Sequence, residues 1–311
     1  MFSLNDLSQE QALQVIKVIM NDTSDTTKKN LETAFKKLID SASHLEVIKL
    51  LLDNNKVDPG VDDNYAIGSA SRNGHLEVVK LLLQTSGVNP CANNNYAIRL
   101  ASENGHLEVV KLLLQTSGVN PCAYDNYAIR LASGNGHLEV VKLLLQNNVN
   151  PCDRDNYAIR SASENGHLEV VKLLLQTSGV NPCADDNCAI KWASQNGHLE
   201  VVKLLLQNDK IDPCGRDNFP IRLASRNGHL EVVKLLIPKT DLTKITDPKI
   251  HAIAKEIKKI AKAENKTEKN KSIDEALNEI CRIMNDFNIS KISIDDMAKI
   301  TCEFKLNKLE K

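Results

Sequence analysis

The chain has 311 residues, with 39 Lys and Arg against 40 Asp and Glu and a formal net charge of −1. That balance argues against a general polyanion binder, and a 4% aromatic content leaves few rings for stacking bases, so no nucleic-acid partner is expected. No apolar run reaches the ~20 residues of a membrane span, and the opening Met1-Phe2-Ser3-Leu4-Asn5-Asp6 lacks the basic and apolar regions of a signal peptide. No membrane association and an intracellular, cytoplasmic location are therefore expected.

Residues 1–29 form an N-terminal segment. Ser8 to Met20 is predicted to be helical, because Ala12, Val15, Ile16 and Ile19 share a face and Ser8 can cap it. The polar stretch Asn21 to Lys29 reads as a loop. The simplest role of this segment is to cover the apolar flank of the first repeat unit.

From about residue 30 to residue 237 the chain repeats itself. Asn73-Gly74-His75-Leu76-Glu77-Val78-Val79-Lys80-Leu81-Leu82-Leu83 returns almost letter for letter, with histidine at His106, His137, His167, His198 and His229. The steps are 31, 31, 30, 31 and 31 residues. A weaker copy around His44 has Ser43 where the others have Gly. A fixed period of this size marks a stacked repeat protein, whose terminal units are often atypical. Six regular units begin near Asp62, Asn93, Tyr124, Arg154, Asp185 and Arg216. The loop at residues 146–150 is one residue shorter than its neighbours and accounts for the single short step.

Each unit reads as two helices and a loop. In the unit around His106, Asn95 is a candidate N-cap for Tyr96 to Asn104. Gly105 suits the left-handed position after that helix. Leu107, Val110, Leu113 and Leu114 form an apolar face on the second helix, and Glu108 and Lys111 an i,i+3 charge pair. Small Ala101 and Ser102 allow the two helices to approach. Gln115 to Pro121 reads as turn and extended loop.

This helix–turn–helix–loop unit resembles the ankyrin repeat. The Gly-His, Val-Val and Leu-Leu-Leu of the family pattern are kept, while Tyr96-Ala97-Ile98-Arg99 replaces its Thr-Pro-Leu-His opening. Only Phe219-Pro220-Ile221-Arg222 retains the proline. The resemblance implies an all-α ankyrin-repeat solenoid with helical N- and C-terminal caps. It also implies a non-enzymatic, monomeric protein that binds another protein and needs no cofactor. The near-identical units look like ankyrin proteins of large DNA viruses and intracellular bacteria, which implies a host protein as partner. Leu4, Leu7, Glu10, Ile16 and Asp22 are faintly similar to an F-box, which would make residues 1–29 a ubiquitin-ligase docking segment instead of a cap.

Seven of the eight histidines belong to the repeat, which suits a structural turn and not a singular catalytic group. Five of the eight cysteines, Cys91, Cys122, Cys152, Cys183 and Cys214, follow a proline once per unit. Stacked helices lie about 8–10 Å apart, whereas a disulfide needs Cα atoms within ~7 Å, so free thiols are expected. No Cys-x-x-Cys pair supports a zinc site.

Comparison of unit with unit locates the candidate partner-binding residues. Packing forces uniformity, and positions free to meet a partner vary. The loop tips vary most, among them Tyr124, Arg154 and Arg216. So do two first-helix positions, one occupied by Ser69, Leu100, Leu131, Ser161, Trp192 and Leu223, the other by Arg72, Glu103, Gly134, Glu164, Gln195 and Arg226. In ankyrin proteins the loops and first helices line the concave binding face, so the resemblance places this variation where recognition occurs. A uniform row, Arg99, Arg130, Arg160, Lys191 and Arg222, is interrupted by Gly68. It is either an internal structural feature or a track for an acidic partner. Because Leu and Ser occupy the equivalents of Trp192, packing is not expected to demand an indole there, and Trp192 is a candidate hot spot.

Residues 238–311 change in composition. Helices are expected at 248–263, 272–287 and 294–305, with Asp247-Pro248 and Ser272-Ile273-Asp274-Glu275 as helix starts. This segment reads as a C-terminal helical cap, with a separate or even enzymatic function as the alternative. Treatment with a chelator or a reductant should leave the unfolding midpoint unchanged. A marked fall with either, read by thermal denaturation, would point to metal or disulfide roles for the periodic cysteines.

Overall fold

The computed structural model describes residues 7–22, 24–213 and 215–236. All regular structure among them is helical. The tail helices expected beyond residue 238 lie outside the described residues.

Helix α1 (Gln9–Ile19) is capped as expected, with Ser8 and Gln11 in a reciprocal capping box. Its buried stripe is Ala12, Ile16 and Met20, while Val15 stays partly exposed. It packs on α3 (Leu45–Asp53). The stretch read as a loop is shorter than expected, because α2 spans Asp25–Ser41. Ser24 accepts from the Thr27 N–H at 3.3 Å, and Asp22 accepts from the Thr27 hydroxyl at 2.7 Å. These bonds start the helix inside a polar run, and Leu31, Phe35, Leu38 and Ile39 then bury its inner face.

The regular units follow as helix pairs: α4 (Val61–Arg72) and α5 (Leu76–Leu83), α6 (Ala92–Glu103) and α7 (Leu107–Leu114), α8 (Ala123–Gly134) and α9 (Leu138–Gln146), α10 (Asp153–Glu164) and α11 (Leu168–Leu175), α12 (Ala184–Gln195) and α13 (Leu199–Leu205), and α14 (Gly215–Arg226) and α15 (Leu230–Leu236). By its contacts the chain divides into two units, Met1–Ala162 with Leu173–Val180, and Ser163–Lys172 with Asn181–Lys311. Within the first, α2, α4, α6 and α8 form one layer and α3, α5, α7 and α9 a second. Within the second, α12 packs on α14 and α13 on α15, with α12–α13 and α14–α15 as pairs. This is an all-α repeat solenoid of helix–turn–helix units.

The second helices bury Val109, Val110 and Leu113 and their equivalents, more centrally than Leu107 and Leu114. Each fully buried Val or Leu side chain contributes about 1.5–3 kcal/mol. Glu108 and Lys111 pair at 2.6 Å on the exposed face, as do their equivalents Glu77 and Lys80, Glu139 and Lys142, and Glu200 and Lys203. Such exposed pairs add only a few tenths of a kcal/mol. Ala101 and Ser102 are fully buried, as close helix approach requires. The hydroxyls of Ser71, Ser102, Ser133, Ser163 and Ser194 are buried without a hydrogen-bond partner.

The turn between paired helices carries the stacking contacts. His137 Nε2 donates to the Glu103 carbonyl at 3.0 Å, and Asn135 Nδ2 donates to the same oxygen at 2.7 Å. That carbonyl ends a helix in the preceding unit and has no acceptor role within its own helix. His75 and His106 repeat the bond to the carbonyls of Asp40 and Arg72. In the second contact unit His198 and Asn196 converge on Glu164 in the same way. The His of Asn-Gly-His thus holds its turn to the unit before it, helped by Asn73, Asn135 and Asn196, whereas Asn104 donates to the Leu100 carbonyl of its own helix. The glycine is required twice over: Gly105 has φ +76°, and a Cβ there would sit 2.4 Å from His137 Nδ1. Where Ser43 replaces glycine, the turn is rebuilt through two left-handed residues, Ala42 and His44.

The entry to the first helices differs from expectation. Asn93, Asn94 and Asn95 all have φ between +50° and +59°, a left-handed turn ahead of the helix proper at Tyr96. Tyr124, Asp125 and Asn126, and Asp185, Asp186 and Asn187, do the same. Asn95 therefore does not cap its own helix. Its Oδ1 accepts instead from the Asn120 N–H at 2.7 Å, tying the start of the unit to the loop that leaves it. Asn120 Oδ1 in turn accepts from the Cys122 N–H at 2.9 Å, which explains Asn before Pro-Cys.

Gly105→Ala should destabilise the chain by about 2 kcal/mol or more, since a left-handed L-residue costs about 1–2 kcal/mol before the His137 clash is counted. His137→Ala itself costs the bond to the Glu103 carbonyl, so the clash is read as the coupling between the two substitutions in a double-mutant cycle. Urea denaturation of the single and double variants checks this, and a neutral Gly105→Ala would remove glycine's double role.

Candidate functional site

The uniform basic row is built into the first-helix layer. Arg99 is only 8% exposed. Its guanidinium carbon lies 5.3 Å from the Tyr96 ring centroid, 4.9 Å from Tyr124 and 5.1 Å from Tyr127. Arg130 lies between Tyr127 and Tyr157 at 5.2 and 5.4 Å, and Arg160 lies 5.6 Å from Tyr157. The guanidinium groups also hold the left-handed turns. Arg130 donates to the carbonyls of Asp125 and Tyr124 at 2.9 and 3.1 Å, and Arg160 to that of Arg154 at 2.9 Å. A cation over an aromatic face gains roughly 0.5–2 kcal/mol, most where it is desolvated. These bonds give Arg99, Arg130 and Arg160 an internal role on the backbone carbonyls of the turns.

Sequence reasoning passes over the rings of Tyr96, Tyr127 and Tyr157. The signal was present: Tyr-Ala-Ile-Arg places ring and cation at i and i+3, neighbours on one helix face. Arg99 and Arg130 each meet the Tyr of their own unit and the Tyr of the following unit. One unit breaks the pattern. Cys188 stands where the others have Tyr or Phe, and Trp192 where they have Leu or Ser. Lys191, 9% exposed, has its Nζ 4.3 Å from the Trp192 ring centroid and 5.8 Å from Phe219, and it donates to Cys188 Sγ at 3.0 Å. Trp192 supplies the ring that Cys188 lacks. The two departures occur together in one unit, and the contact with Lys191 gives the indole a packing role that its Leu and Ser equivalents do not have.

The loop tips are more open. Tyr124 is 57% exposed and meets Tyr127 edge-on at 5.5 Å. Arg154 is exposed and pairs with Asp125 through Nε at 2.8 Å and Nη2 at 2.5 Å. Leu131 and Arg222 are half-buried, the latter 5.8 Å from the Phe219 ring. The side chain of Arg216 lies outside the described residues. Tyr124, Tyr127, Arg99 and Leu100 line a cleft of about 410 Å³ together with Arg72, Glu103 and the turn residues Asn93 and Asn94.

Cys91, Cys122, Cys152 and Cys183 are free thiols. Burial pushes the Cys122, Cys152 and Cys183 thiols above the ordinary range, which lowers their reactive thiolate fraction. Among the described residues no group of three or more His, Cys, Asp or Glu is placed to hold a metal ion, and no helix is long and apolar enough to cross a membrane.

Trp192→Leu should lower stability by about 2 kcal/mol, because it uncovers a buried ammonium. Cys188→Tyr alone should also destabilise, because the indole occupies the ring's place. Combined, the two recreate the Tyr-Ala-Ile-basic-Leu order of the other units and should restore most of the loss. A double-mutant cycle by urea denaturation measures the coupling, and additive losses would break the link between the two positions.

A family model described as ankyrin repeats (3 copies) matches residues 37–125, 98–186, 127–217, 159–247 and 190–263, well over half of the chain. A comparison with curated proteins returns no match.

Proposed function

Because the chain belongs to the ankyrin-repeat family, we propose that it is a non-enzymatic interaction scaffold that binds another protein through its first helices and left-handed turns. Protein–protein interaction is the general role of the fold. The observation that carries the choice of face is the placement of variation. The second helices repeat Leu-Glu-Val-Val-Lys-Leu-Leu almost without change, whereas the turns and two first-helix positions differ from unit to unit. Uniform units hold the stack, and the variable positions give the face an irregular surface that one partner can match. Tyr124 and Arg154 are an exposed aromatic and an exposed basic residue on it, of the types most often found as interface hot spots. The near-identity of the units further supports a host-directed role in the cytoplasm, as in the viral and bacterial proteins the repeats resemble.

A photo-crosslinking amino acid at position 124 should capture a discrete protein from candidate host cells, identified by mass spectrometry. The same probe at Glu108, on the exposed side of a second helix, should not. Capture at 108 without capture at 124 would assign binding to the other face.

A further inference from the structure

Resting on that reading, we propose that the cleft between the first helices α6 and α8 takes a carboxylate side chain of the partner protein. Its volume of about 410 Å³ accommodates a side chain with its flanking backbone. Its floor is the nearly buried Arg99, whose Nε–H is buried with no acceptor. The only hydrogen bond of this guanidinium among the described residues is a long one, 3.4 Å, to the Asn93 carbonyl. Arg72, exposed at the rim, and Glu103, the one acid in the lining, make no ion pair among the described residues.

The chemistry of the occupant is reached by elimination. A partner cation is disfavoured, because the three tyrosine rings already surround Arg99 and a second cation would be repelled. An apolar anchor would displace water from the exposed Arg72 without offering it an acceptor, and burying a polar group without a bond is costly. A carboxylate supplies the counter-charge that Arg72 and Arg99 lack among the described residues. Charge-assisted bonds to guanidinium are among the stronger ones.

Folding-safe variants are provided by the chain itself. At the position of Arg72 the other units carry Glu103, Gly134, Glu164, Gln195 and Arg226. Arg72→Glu and Glu103→Gln therefore introduce residues already used at equivalent sites. The probe is a fluorescein-labelled octapeptide of alternating Glu and Gly, with Gln–Gly and Lys–Gly peptides as controls, followed by anisotropy at low ionic strength, where exposed charges are least screened. The Glu peptide should bind at least about tenfold more tightly than either control. Arg72→Glu should weaken it by about tenfold, and Glu103→Gln should strengthen it by roughly threefold. Thermal melts of both variants should match the parent. Equal affinity for Glu and Gln peptides, absence of Glu-peptide binding, or unchanged binding by Arg72→Glu would each overturn the carboxylate site. If crosslinking at position 124 still captures a partner, the interaction face stands and only its selectivity for carboxylate falls. If both fail, the face falls with it.

Discussion

The stack depends on one oxygen atom per unit. A helix that stops leaves its last carbonyls without partners inside itself. In this chain such a carbonyl, that of Glu103, is reached by two donors from the next unit, the imidazole of His137 and the amide of Asn135. A carbonyl has two lone pairs and can accept both. Gly105 provides the backbone conformation and the empty space in which the imidazole lies. The interface between units is therefore hydrogen-bonded at its polar end and packed by Val109, Val110 and Leu113 at its apolar end. Neither end would fix the spacing alone, since apolar contact is non-directional.

The basic row shows the same economy on the opposite side of the unit. A guanidinium that bonds the turn of its own unit and stacks on the ring of the next serves two neighbours at once. That role accounts for its uniformity without any partner. On the proposed reading, selectivity comes from what varies around it, the loop tips and the position shared by Arg72 and Glu103, with Arg99 as a fixed cation beneath them. The exchange of Cys188 and Trp192 marks the difference between the two kinds of position. It looks like variation when each site is compared alone, but it conserves a ring over Lys191.

The periodic histidines, the paired helices, the Glu108–Lys111 pair and the close approach at Ala101 could be read directly from the sequence, because each follows from spacing on a helix. The left-handed turns could not. Asn95 and Asp125 are as much at home in a cap as in a left-handed backbone, and only the cross-loop bond to Asn120 decides between them. The start of α2 was obscured because Asp25 to Lys29 carries no apolar residue, and its helix is drawn out by Leu31 and Phe35 further on. Among the candidate site residues, the exposure of Tyr124 was legible from its loop position. The enclosure of Arg99 was only partly legible, because Tyr96 lies three residues away on its own helix but Tyr124 and Tyr127 come from the following unit.

The dipeptide that joins the units is also the most chemically fragile one in the chain. In Asn-Gly the glycine nitrogen is unshielded by any side chain. In a flexible chain it attacks the asparagine side-chain carbonyl, expels ammonia, and leaves a succinimide that hydrolyses to aspartate or isoaspartate. Asn135-Gly136 is spared while folded, because the side-chain amide is held by Glu103 and the Gly136 nitrogen donates to the Ser133 carbonyl at 3.2 Å. Each opening of the turn releases both groups. Once deamidated, the site presents a carboxylate to the Glu103 carbonyl, an acceptor facing an acceptor, and the joint cannot re-form as it was. Chemical ageing and loss of stacking are thus coupled where the asparagine amide makes this joint, as at Asn135 and Asn196, and not at Asn104, whose amide is held within its own helix.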